Sequence, residues 1–143
     1  MRFAQAIEVA RPLEEAFAYV ADLANAAEWD PGIVESHRTG EGPVGPGAEF
    51  DVVALFRSRP VPFRYRLVGY EQGRRVLFEG EGEKARSVDE ILFEPAGSGT
   101  RIAYAADLTL KGPLRLFEPF LGGTFRVMGE KALAGLKATL DRA

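Results

Sequence analysis

Apolar and polar positions alternate from the start of the chain. Phe3, Gln5, Ile7 and Val9 fall on one side and Arg2, Ala4, Ala6 and Glu8 on the other, the two-residue period of a strand. The period then changes. Leu13, Ala16, Phe17 and Val20 recur at helical spacing behind Pro12, with Glu14 and Glu15 in the first turn, where a proline and acidic side chains suit a helix start. This helix should run to about Asp22, and Asp22 is placed to cap a second short helix over Leu23–Glu28. Trp29-Asp30-Pro31-Gly32 reads as a turn.

From Ile33 onward the pattern is nearly all strand: 33–39, 48–56, 63–71, 75–80, 86–94 and 100–110. The stretch GEGPVGPG (40–47) is a loop by composition, Arg57–Pro60 a connection and Pro95–Gly99 a hairpin turn. Pro62 favours an irregular or edge start to the fourth strand. The chain closes on one long helix from about Pro113, its apolar stripe formed by Phe117, Leu121, Phe125, Met128, Ala132, Leu136 and Leu140. Pro119 and the pair Gly122-Gly123 weaken it, so a break is expected between Leu116 and Thr124, leaving a segment free to move as a lid.

Seven strands joined mostly by short turns predict an α+β fold, a curved antiparallel sheet with the long helix in its concave side. No linker or repeat divides the 143 residues, so a single domain over 1–143 is expected. A sheet curled around one helix leaves room for a cavity, which points toward ligand binding.

Charge and composition narrow the classes. A net charge of −3, with Arg64, Arg66, Arg74 and Arg75 balanced by Glu79, Glu81 and Glu83, gives no nucleic-acid footprint. With no cysteine, disulfides, thiolate catalysis and Cys-based metal sites are excluded. His37 is the only histidine; it reads as solvated and cannot support a multi-histidine metal site. Gly97-Ser98-Gly99 is a turn rather than a nucleophile elbow, because no helix follows it. Gly42–Gly47 opens onto a strand, not the helix N-terminus a phosphate loop needs. No apolar run is long enough for a membrane span, and the N-terminus lacks a signal-peptide pattern, so a cytoplasmic location is expected. No metal or cofactor is expected.

Several pieces, in their order and spacing, carry a family resemblance. They are IEVARP (7–12), FAYVAD (17–22), WDP (29–31), GTRIAY (99–104) and LKG (110–112). The chain resembles the START-like, or SRPBCC, helix-grip superfamily across its whole length, and within it the polyketide cyclase/dehydrase-type branch. The resemblance implies a helix-grip fold. Members bind lipids, polyketides, hormones or quinones, and some catalyse cyclisation or dehydration. The matching pieces are structural and carry over no catalytic residue.

Strand parity selects the side chains that face the helix. Asp89 shares a side with Ser87, Ile91 and Phe93; Tyr104 with Ile102 and Leu108; Tyr65 with Phe63 and Leu67; Gln5 with Ile7. The polar wall is therefore expected to hold Asp89, Tyr104, Tyr65 and Gln5. A buried carboxyl beside phenols orients a polar ligand group or serves as a general acid or base. A purely structural hydrogen bond is the alternative. Counting out from the hairpin turn places Asp89 and Tyr104 roughly level. Trp29 is read as a core plug rather than a pocket-mouth residue. Gly129, Ala132 and Gly135 either leave room for a ligand or let the last helix approach the sheet closely.

The preferred reading is a non-catalytic protein binding a hydrophobic or amphipathic small molecule: a lipid, quinone or polyketide-like compound. The expected wall is Phe50, Val52, Phe63, Tyr65, Phe78, Asp89, Ile91, Tyr104, Phe117, Phe120, Leu121, Phe125 and Met128. Val53, Leu55 and Leu77 form the alternative inner set of the third and fifth strands. Loops 42–47, 57–62 and 81–84 are placed to gate the entrance. The alternatives are a cyclase or dehydratase using Asp89 and Tyr104, or a protein-binding module without a cavity. A monomer or homodimer fits either way.

Overall fold

A computed structural model describes residues 1–142; Ala143, the end of the expected domain, lies outside the described residues. The alternating segments become strands β1 (Arg2–Val9), β2 (Ile33–Thr39), β3 (Glu49–Phe56), β4 (Arg59–Glu71), β5 (Arg75–Glu81), β6 (Ala85–Ala96) and β7 (Gly99–Leu110). They form one seven-stranded sheet in the order β1-β7-β6-β5-β4-β3-β2, antiparallel throughout. Helix α1 (Leu13–Ala21), a 3-10 turn (Leu23–Asn25) and helix α2 (Ala26–Trp29) separate β1 from β2, and helix α3 (Glu118–Leu140) closes the chain. This is the expected α+β helix-grip architecture.

Local chemistry explains the junctions. Asp22 accepts the Ala24 N–H at 3.1 Å and starts the 3-10 turn. The β3–β4 hairpin is tighter than expected. Phe56 pairs with Arg59, leaving only Arg57 and Ser58 in the turn, both at positive φ (51° and 66°), as a type I′ turn requires. β4 therefore contains Pro60 and Pro62. Its pairing with β5 begins only at Arg64, so both prolines sit where β4 has one free edge and a missing N–H is tolerated.

The core lies between α1, the concave face and the C-terminal half of α3. Phe17 is fully buried and meets Phe93 and Tyr70 edge-on, with ring centroids 5.0 and 5.5 Å away, the favoured geometry for aromatic pairs. Leu133, Leu136 and Leu140 of α3 are buried in the same cluster. The inner sets of β3 and β5 are those containing Phe50, Val52 and Phe78; Val53, Leu55 and Leu77 are only partly buried.

Helix α3 corrects one expectation. The chain is a 3-10 segment over Gly112–Phe117 and becomes α-helical at Glu118. Pro119 falls in the first turn, where its absent N–H has no helical partner to lose. The helix continues through Gly122 and Gly123 without interruption, so the break precedes Pro119 and no hinge forms at the glycines. A Cβ at either glycine would meet nothing within 4 Å. Gly122→Ala combined with Gly123→Ala should therefore raise stability by about 1–2 kcal/mol, read as a higher urea midpoint with an unchanged slope.

Candidate functional site

The concave face and α3 enclose a cavity of about 680 Å³. Its axis follows α3, from Phe117, Phe120 and Leu121 at one end, past Phe125, Met128 and Gly129, to Ala132 and Leu133 at the other. The outer end is the mouth, where the lining residues Phe117, Phe120, Arg57, Arg59 and Lys84 are all exposed. A small apolar cluster of Phe63, Ala85, Leu108, Leu110 and Leu121 surrounds this end. Glu118 fixes it, accepting the Leu110 N–H at 2.8 Å. The inner end is closed by Trp29, which is 4% exposed.

The carboxyls and phenols of the wall gather away from the mouth. Asp89 lies opposite Ala106, Ala106 opposite Phe3, and the Phe3 ring packs on Gly129. Gly129 is three helical turns inward from Phe117, about 18 Å at the usual helical rise. Tyr104 is opposite Ile91, one diagonal step from Asp89 rather than level with it. The diagonal suits a long side chain: the Tyr104 hydroxyl donates to Asp89 Oδ2 at 2.5 Å, and Ser87 donates to Oδ1 at 2.6 Å. Tyr65 joins the group because Gly80, its partner on β5, has no Cβ; a Cβ there would lie 2.6 Å from the Tyr65 ring. Asp30 enters from the turn after α2 and accepts the Gly32 N–H at 2.8 Å.

Burial governs the protonation of this cluster. It raises the Asp89 carboxyl, partly offset by the hydrogen bonds from Ser87 and Tyr104. It pushes Asp30 up to about 6, opposed by the Gly32 N–H and reinforced by the charge of Asp89. The phenols of Tyr65 and Tyr104 are also raised, by burial first and then by neighbouring carboxylates. Two carboxyls and two phenols that perturb one another share one polar patch. In their neutral forms all four donate hydrogen bonds. Among the described residues no group of three His, Cys, Asp or Glu side chains is arranged to hold a metal.

Of the expected wall, Val52, Phe63, Tyr65, Asp89, Tyr104, Phe117, Phe120, Leu121, Phe125 and Met128 face the cavity. Phe50, Phe78 and Ile91 do not; they are at most 1% exposed and packed into the core. They share the right sheet face but belong to the core cluster that also holds Phe17, Leu133 and Leu136, a distinction parity does not make. Gln5 is exposed on the edge strand and lies off the wall. Loop 42–47 is also off the wall, held instead by Arg38, whose guanidinium donates to the Gly42 carbonyl at 2.8 Å. Trp29 is both a core residue and part of the inner cavity wall. Gly129 and Gly135 are close-approach positions. His37 is exposed on the outer face.

Residues 1–141 match the family model described as polyketide cyclase / dehydrase and lipid transport. The chain belongs to this family. As a polyketide cyclase/dehydrase family member it shares its fold with solved structures at low identity. A Thermus thermophilus protein superposes with a TM-score of 0.83 at 18% identity, covering 98% of this chain and 97% of that one. An aromatase/cyclase from Streptomyces sp. R1128 gives 0.82 at 11% identity, covering 99% and 94%. A START superfamily protein from Mycobacterium smegmatis gives 0.75 at 15% identity, covering 98% and 94%. At these identities the likeness establishes the fold alone. No curated protein matches this family member by sequence. No helix among its described residues is long and apolar enough to cross a membrane.

Proposed function

We propose that the chain binds a hydrophobic or amphipathic small molecule, a lipid, quinone or polyketide-like compound, in the cavity between sheet and α3. The observation that carries this reading is a mostly apolar cavity of about 680 Å³ whose few polar groups are confined to an inner patch and the mouth, the composition typical of small-molecule sites. The phenyl rings, leucines and Met128 supply the apolar contact; Asp89 and Tyr104 anchor a polar group.

Fluorescence titration with long-chain lipids, quinones and aromatic polyketides tests it. Removing one anchoring hydrogen bond leaves a buried partner unpaired, a cost of about 1–3 kcal/mol. Asp89→Asn and Tyr104→Phe should each weaken binding about tenfold or more, with unchanged far-UV circular dichroism. Binding of no hydrophobic ligand by the wild type would defeat the proposal; unchanged affinity in both variants would make Asp89 and Tyr104 structural.

The Tyr104–Asp89 hydrogen bond supports a second reading, a cyclase or dehydratase in which this carboxyl works as general acid or base. Turnover of a polyketide-like substrate, abolished by Asp89→Asn, would separate catalysis from binding. The open cavity argues against a protein-binding module whose interior is filled by aromatic side chains.

A further inference from the structure

The charges on the cavity wall are sorted by depth. Asp30 and Asp89 are its carboxyls, and both lie inward with Tyr65 and Tyr104. Arg57, Arg59 and Lys84 are its cations, and all three are at the exposed end, Arg57 in the β3–β4 turn and Lys84 in the β5–β6 turn. These three form no ion pair among the described residues, although the sheet's outer face is laced with them, as in Arg64–Asp51 and Arg86–Glu81. The chain as a whole carries a net charge of −3, so a cationic rim runs against the overall balance.

A ligand carboxylate or phosphate carried to the inner end would meet two acidic side chains and no cation. The same group left at the mouth meets three cations in water, a favourable placement without desolvation. At the inner end the Tyr104 O–H is held by Asp89; when Asp89 is protonated its own O–H can donate to the phenol oxygen instead, which frees the Tyr104 O–H to donate to a neutral ligand oxygen. Lys84, just before β6, and Asp89 within it are five residues apart, about 17 Å at the usual strand rise, and the wall near the mouth end of that span, around Phe63, Ala85, Leu108 and Leu121, is apolar.

We propose that the ligand lies lengthwise with a fixed polarity: a neutral oxygen-bearing end, such as a ketone, at the Asp30–Asp89–Tyr104 patch, and an anionic end at Arg57, Arg59 and Lys84. This rests on the ligand-binding reading and adds the ligand's chemistry at each end. It selects elongated acids with a distal carbonyl over plain hydrocarbons or molecules acidic at both ends.

Three probes of equal length test it: palmitic acid, its methyl ester, and an acid of the same length bearing a ketone on the penultimate carbon. Affinities are measured by displacement of a fluorescent fatty-acid analogue. In the wild type the acid should bind about tenfold tighter than the ester, the combined effect of several individually weak, exposed ion pairs at the rim. This advantage should shrink at high salt. The ketone should add about another tenfold, the worth of one buried hydrogen bond. The double variant Arg57→Glu/Arg59→Glu should erase the acid-over-ester advantage and keep the ketone's gain. Tyr104→Phe should erase the ketone's gain and keep the acid-over-ester advantage. Equal binding of acid and ester, no gain from the ketone, or loss of both advantages in the same variant would each overturn the polarity while leaving the cavity reading intact. If neither acid nor ester binds the wild type, both fall together.

Discussion

Gly135→Ala should destabilise the protein by about 3 kcal/mol, an expected drop in urea midpoint large enough to leave a marginal domain partly unfolded at elevated temperature. A Cβ at Gly135 would lie 2.0 Å from the Trp29 carbonyl oxygen. That neighbour is backbone, so no side-chain rotation relieves the clash. Either α3 lifts away from α2, loosening Leu133 and Leu136 from the core, or α2 shifts and drags Trp29 from its place. A loss under about 0.5 kcal/mol, the usual range for neutral surface changes, would mean that the two helices do not meet as closely as described.

The second large effect depends on pH. The Asp30 carboxyl titrates at about 6 in the folded chain, against an ordinary aspartate value near 4 in the unfolded one. A raised carboxyl means that the fold holds the neutral form more tightly. Its contribution is therefore intact below about pH 4 and is lost as the pH rises through about 6. The shift corresponds to at most about 3 kcal/mol. Asp30→Asn keeps an oxygen to accept the Gly32 N–H and removes the charge. The variant should equal the wild type at pH 4 and exceed it by about 2–3 kcal/mol at pH 8. Stability curves that stay parallel from pH 4 to 8 would show that Asp30 is well solvated. Asp89 is shifted in the same direction, so Asp89→Asn should follow the same trend.

Much of the fold was legible because its signals are local. Alternation marked the strands, Asp22 and Pro12 marked helix boundaries, and the apolar stripe marked α3. Where reading failed, the deciding contact was distant. Pro119 and Gly122-Gly123 suggested a broken helix, yet the helix begins one residue before that proline because Glu118 is tied to β7 through Leu110. Pro60 suggested a connection, but β4 already begins at Arg59 because β5 stops short of this stretch, which leaves Pro62 on the free edge its residue type favours. In the site, parity brought Asp89, Tyr104 and Tyr65 to one face, and β4, β6 and β7 delivered them there. Parity says nothing about depth along that face, so Phe78 and Ile91 were placed on the wall when they belong to the core. Asp30 was missed entirely as a cavity residue. It belongs to a turn, where no period fixes side-chain direction, and only the docking of α2 beside α3 aims it inward. Ser87 carried the right parity but was not named on the polar wall.

Helix α3 divides its labour along its length. Its last three turns bury Leu133, Leu136 and Leu140, whereas between Glu118 and Met128 only Leu121 is buried. Amide hydrogen exchange should follow that division, with slow exchange near the C-terminus and fast exchange over the cavity. The division also bears on how such a chain can diverge. Substitutions at 117–128 change the shape and polarity of the space beneath the helix while the clamp at 133–140 keeps it in place. Drift in the part that lines the cavity is thereby uncoupled from drift in the part that holds the protein folded.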